Sequence, residues 1–148
     1  MVEGDSASVA ETVAFLSALA GVPISQSIAV TGSINQSGRV QPVGGVQYKV
    51  EGFYELCKMK GLDGKQGVIV PDTNFDNLVL PDEIVEALKS KKFNIWTIET
   101  VDEAIELLTG MKAGEIGEEG SYPEETFNYL VTRELQRLYD ISSKDKSN

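Results

Sequence analysis

The run Gln66-Gly67-Val68-Ile69-Val70, bounded by Gly64 before it and Pro71 after it, limits the possible folds most sharply. It is too short for a helix, and an apolar run of this length closed by turn residues reads as a buried strand. Helical patterns alternate with it. The spacing predicts a helix from Val46 to Lys60, stopped by Gly61, and a second from Pro81 to Lys91 with Ile84, Val85 and Leu88 inward. Asn94 to Ile98 follows as a strand and Asp102 to Leu108 as a further helix. Such alternation predicts an α/β (α+β) fold in which helices pack on a small sheet. A chain of 148 residues with 41% hydrophobic content suffices for one domain with a real core.

The remaining segments fit around that frame. Residues 6 to 20 read as the first helix, with a Ser8–Glu11 capping box and a stripe of Val9, Val13, Leu16 and Ala20. Gly21 and Pro23 stop it. Ser27 to Ser33 and Arg39 to Val43 read as two strands joined by the turn Asn35-Gln36-Ser37-Gly38. The hairpin delivers the chain to Gly44-Gly45, where missing side chains allow a tight entry into the next helix. Residues 110 to 120 form an acidic, glycine-rich linker. Ser121 with Glu124 is expected to cap a tail helix whose apolar positions are Phe127, Leu130, Val131, Leu135 and Leu138, before a disordered end at 142 to 148. The expected division is therefore 1–110, a linker at 111–120, and a tail at 121–148.

Composition removes several functions. A formal net charge of -10 argues against nucleic acid, whose phosphates need clustered Lys and Arg, and against anionic membranes. Gly44-Gly45 is too short to cradle phosphates and no G-x-x-x-x-G-K-[ST] occurs, so no cofactor is expected in this chain. Without histidine or clustered cysteines there is no metal site to propose. The acidic pairs Asp82-Glu83 and Asp102-Glu103 fall in helix first turns, where carboxylates suit the dipole. The single cysteine, Cys57, excludes an internal disulfide framework and suits a reducing cytosol. Met1-Val2-Glu3 opens no signal peptide and no run reaches membrane-spanning length, so the expected location is cytoplasmic.

The candidate chemistry lies in Gly4-Asp5-Ser6-Ala7-Ser8. This nearly spells the nucleophile elbow of serine hydrolases, but those machines need a histidine and the chain has none. If Ser6 is a nucleophile its base must be another residue, and a neutral lysine is the usual substitute. Lysine titrates near ~10.4 in water, so such a base has to be desolvated. Lys49 is the only lysine before Lys58, and it shares a helical stripe with Val46, Val50, Phe53, Leu56 and Cys57. That stripe is expected to bury it. Periodicity alone leaves open a snorkelling lysine that covers apolar surface with its stem, Ser6 and Ser8 as plain N-caps, and Thr31 as an ordinary strand threonine.

Glu3-Gly4-Asp5-Ser6-Ala7-Ser8, Ala29-Val30-Thr31-Gly32-Ser33 and Pro42-Val43-Gly44-Gly45-Val46-Gln47-Tyr48-Lys49 together resemble the proteolytic domain of Lon proteases. The form is similar to the archaeal, B-type branch. Gln66 to Pro71, Thr100 to Gly110 and Tyr122-Pro123-Glu124-Glu125 fit too, the last resembling bacterial Lon-related ATP-dependent proteases. The resemblance implies Ser6 as catalytic serine, Lys49 as catalytic lysine, Thr31 as support for that lysine, and Glu3 and Asp5 as acidic residues that tune the site. It further implies polypeptide substrates and a ring-shaped homo-oligomer of six subunits. ATP and Mg²⁺ would belong to an AAA+ module ahead of the domain. That module, and further N-terminal strands of the domain, are expected to be missing here, leaving a sheet edge and exposed apolar surface. Other readings remain: a non-catalytic oligomerisation or assembly module, an inactive fragment of such a protease, or an esterase or amidase acting on small molecules.

Overall fold

The computed structural model describes residues 5–147. In chain order the elements are α1 (Ser8–Ala20), β1 (Ile28–Val30), β2 (Ser33–Ile34), β3 (Val40–Gln41), α2 (Val46–Lys60) and β4 (Gly67–Pro71). They continue with α3 (Asp72–Phe75), α4 (Asp82–Lys89), β5 (Asn94–Ile98), α5 (Val101–Thr109) and α6 (Phe127–Asp145). Strands β1, β4 and β5 form a parallel sheet in that order, and β2 pairs antiparallel with β3.

The expected buried strand is the centre of the molecule. All five residues of β4 are buried, and its side chains alternate between two cores. Ile69 joins Val9, Val13, Ile105 and Phe127 on the face covered by α1, α5 and α6. Val68 and Val70 join Val50, Tyr54, Ile84 and Phe93 on the face covered by α2 and α4. Each parallel connection crosses over through a helix, which is how a sheet buried on both faces is built. The fold is thus the expected mixed α/β arrangement on a small sheet.

Two expectations change in ways that matter for the site. The strand expected from Ser27 to Ser33 is broken at Gly32, with β1 before it in the parallel sheet and β2 after it in the hairpin. Gly32 has φ 146°, and a Cβ there would meet Val9, Pro71 and Val40 side chains at 3.2–3.3 Å. Only a residue without a side chain makes this turn comfortably. The second change is the rotation of α2. Its buried residues are Val46, Val50, Tyr54 and Cys57, while Lys49 is exposed and Leu56 is 47% exposed. Tyr54 packs edge-on against Phe93, with centroids 5.3 Å apart, and its hydroxyl donates to Glu83, which also pairs with Lys58. These contacts with α4 and the chain after it turn the helix towards Tyr54. Lys49 therefore lies on the flank of the apolar stripe, not inside it.

The caps differ as well. No Ser8–Glu11 box forms: Ala7 is the N-cap of α1, without a side-chain bond. The tail helix is capped by Thr126, whose hydroxyl accepts from the Tyr129 amide, rather than by Ser121. Helix α6 also runs through Ser142 to Asp145, where a disordered end was expected. Its first turns are core: Phe127 is fully buried and Val131 nearly so, and Ala113 of the preceding segment is buried with them. The backbone of that segment holds the helix start, with the Phe127 and Asn128 amides donating to the Lys112 and Ala113 carbonyls. No helix among the described residues is long and apolar enough to cross a membrane.

Candidate active site

The dipeptide Thr31-Gly32, at the carboxyl end of β1, collects the candidate residues. Thr31 is buried, and its amide donates to the Ile69 carbonyl of the central strand at 3.0 Å. Its hydroxyl accepts the Lys49 ammonium, Nζ to Oγ1 at 3.0 Å. Gly32 holds the other half of the site. Its amide donates to the Ser6 carbonyl at 3.0 Å and its carbonyl accepts from the Val9 amide at 3.2 Å. Two adjacent residues of one turn are thus bonded to Lys49 from α2 and to the segment that carries Ser6.

Side chains stitch that segment further along the hairpin. The Ser8 hydroxyl accepts from the Ile34 amide at 3.0 Å and donates to the Asp5 carbonyl at 3.1 Å. The Ser33 hydroxyl donates to the Asp5 carboxylate. Ser6 lies two residues before the first residue of α1, half-buried, close to the positive end of the helix. The amides of Ser8 and Val9 are already committed to Asp5 and Gly32. Glu3, the other acidic residue expected beside the site, lies outside the described residues.

The Ser33 hydroxyl, and after it that of Ser8, holds the Asp5 carboxyl below its ordinary value of 3.8. A folded value lower than the unfolded one stabilises the fold fully above about pH 3.8 and is lost as pH falls through the folded value. In an NMR titration of the Asp5 carboxyl, Ser33→Ala is therefore expected to raise its midpoint. A midpoint unchanged by Ser33→Ala would remove this latch.

Lys49 reaches Thr31 from the first turn of α2, which starts at Gly45 in the left-handed conformation (φ 71°). The burial expected for Lys49 from its stripe is not supplied by α2 itself, because the side chain is exposed. Beside the site, a recess of about 180 Å³ opens at the carboxyl ends of β4 and β5, lined by Arg39, Gln41, Asp72 and Thr73. Val40 is shared between this recess and the packing around Gly32. The parts that sequence reasoning missed are Gly32 and Ser33, for which no role was assigned. A glycine inside a strand pattern is the available signal, since it marks a bulge or close backbone approach.

A family model described as the Lon protease (S16) C-terminal proteolytic domain matches residues 2–110, a span that contains every residue of this site. The chain belongs to the Lon proteolytic-domain family. A protein of Escherichia coli K12 named a Lon protease homologue is 52% identical over 110 residues, covering 74% of this chain and 19% of that protein. A Haemophilus influenzae Rd protein named likewise is 41% identical over 143 residues, 97% of this chain and 24% of its own length. The archaeal Lon protease of Thermococcus kodakarensis is 37% identical over 106 residues, 72% of this chain and 15% of its own. The chain therefore spans about a fifth to a quarter of the two bacterial relatives. Membership in the Lon family points to a protease role.

Proposed function

We propose that this chain is the proteolytic part of an ATP-dependent Lon-like protease, a serine endopeptidase with a Ser6–Lys49 dyad. The observation that carries the reading is the double grip of Thr31-Gly32 on the Lys49 ammonium and the Ser6 backbone. Unprotonated Lys49 would take the Ser6 hydroxyl proton as Ser6 Oγ attacks the peptide carbonyl. The amides of Ser6 and Ala7 would hold the oxyanion, since those of Ser8 and Val9 are occupied. Collapse of the tetrahedral adduct breaks the C–N bond as Lys49 returns its proton to the leaving amine. Water, deprotonated by Lys49, then attacks the acyl carbonyl, and the ester bond to Ser6 Oγ breaks as Lys49 returns the proton to that oxygen. Thr31 orients Lys49, and Asp5 anchors the Ser6 segment. A lysine exposed in the isolated chain needs cover to act as base, and the bound polypeptide or a neighbouring subunit would provide it.

The whole protein would degrade unfolded or damaged polypeptides in the cytoplasm as a hexameric ring. ATP and Mg²⁺ would serve an AAA+ module rather than this chain. Cleavage of a fluorogenic peptide by the 148-residue chain, followed by mass spectrometry of the products, tests the reading. No cleavage under conditions in which the chain is folded would count against it.

One observation favours an assembly role instead. The apolar stripe of α6 continues past Val131 to Leu135 and Leu138, which are 49% and 42% exposed. Deleting the tail would remove Phe127 from the core, so point changes are the cleaner test. Leu135→Glu with Leu138→Glu is expected to leave folding within about 0.5 kcal/mol. If the stripe drives assembly, light scattering of this variant shows smaller particles. If the chain works as a peptidase without it, cleavage persists.

A further inference from the structure

The segment after Gly110 lies beyond the family match, yet the Haemophilus influenzae alignment, at 97% of the chain, includes most of it. Its loop is closed on itself, with the Gly117 amide donating to the Ser121 carbonyl and the Gly120 amide to the Gly117 carbonyl, both at 2.9 Å. Between this loop and α6 is a cavity of about 600 Å³, within the range of small-ligand and peptide-end sites. None of Ser6, Thr31 or Lys49 lines it.

The cavity is graded along α6. Ile116, Tyr122 and Tyr129 supply its apolar and aromatic lining, Tyr129 at the α6 start of the cavity, and Ile116 is 61% exposed. The next turns carry two arginines with different fates. Arg137 is held by Glu134 through two bonds of 2.9 and 2.6 Å. Arg133 makes no ion pair within 4 Å among the described residues, although its charge is felt by the Glu134 carboxyl that Arg137 holds; its guanidinium lies over the Tyr129 ring, 5.9 Å from the centroid. A guanidinium stacked on a ring still presents its N–H fork to an anion. At the far end Asp140 accepts from Gln136 at 2.9 Å, so this wall is polar.

We propose that this cavity binds the apolar C-terminal end of a polypeptide, with the last side chain on Ile116, Tyr122 and Tyr129 and the terminal carboxylate on Arg133. Tyr129 to Asp140 spans about 16 Å of helix, room for roughly five extended residues. The polar wall near Gln136 and Asp140 suits a peptide backbone, whereas an acyl chain would leave those groups facing hydrocarbon. Capture of a terminal carboxylate is an established mode of peptide recognition. In a chain of net charge -10, an arginine that makes no ion pair of its own, on the same cavity wall as Ile116, Tyr122 and Tyr129, is the feature that selects an anionic end.

The test does not rest on the peptidase reading, because it uses Ser6→Ala chain and reads binding alone. The probe is fluorescein-labelled Gly-Ser-Gly-Ser-Leu-Leu with a free carboxylate, set against the same peptide ending in an amide. Fluorescence anisotropy is expected to show the amide binding about tenfold or more weakly. Arg133→Gln should erase that difference with an unchanged thermal melt, and Ile116→Asp should weaken both peptides. Equal affinity for acid and amide overturns the proposal, as does discrimination that survives Arg133→Gln. So does the absence of binding, or displacement of the peptide by decanoate at lower concentration than by unlabelled peptide.

Discussion

Replacing Ser6 with Ala, or Lys49 with Ala, is expected to lower fluorogenic-peptide cleavage by about 10³-fold or more, with the fold intact. The reasoning is local. Ser6 would supply the oxygen that first attacks the substrate carbonyl, and no histidine exists to replace Lys49 as proton acceptor. The two losses should not add, because nucleophile and base act as a unit. Lys49→Arg should be as damaging as Lys49→Ala, since a guanidinium keeps the contact with Thr31 but does not give up its proton. Thr31→Val, nearly isosteric, removes the acceptor for Nζ and is expected to cost roughly tenfold in rate, the effect of a lost positioning hydrogen bond. The readout is initial rate, with circular dichroism to show that each variant is folded. Activity that survives Lys49→Ala would sink the dyad.

Gly32→Ala is expected to destabilise the chain by about 2–4 kcal/mol, from a strained positive φ together with overpacking. The added methyl would press on Val9, Val40 and Pro71 at 3.2–3.3 Å, three side chains from three different segments. Relief requires moving the backbone that bonds Ser6 and Val9, so activity should fall along with the urea midpoint. A Gly32→Ala variant that unfolds at the wild-type urea concentration and keeps full activity would show that the turn is not a constraint.

The helix and strand order was legible because each element carries its own period and its own stop. Helix α2 begins at Val46 and ends before Gly61 as its spacing requires, and β4 and β5 fall where turn residues bound apolar runs. The break at Gly32 was not legible in the same way. A glycine within Ala29-Val30-Thr31-Gly32-Ser33 is compatible with a continuous strand until the partners of its amide and carbonyl are known. Those partners, Ser6 and Val9, lie more than twenty residues earlier in the chain. Lys49 shows a second limit. At 100° per residue, the expected stripe and the buried one on α2 differ by a rotation of roughly 50°. That is enough to move Lys49 from the stripe to its flank, and Tyr54 against Phe93 sets the rotation.

By itself the sequence determined that no serine here can use histidine as its base, that β4 is buried, and that helices alternate with short strands. Those are consequences of residue identity and of spacing within an element. Only the tertiary structure decided that Thr31-Gly32 bonds both Lys49 and the Ser6 segment, that Asp5 is tied to Ser33, and that Phe127 belongs to the core. Each of these depends on which surfaces of separate elements meet, and periodicity within one element carries no information about its rotation against another.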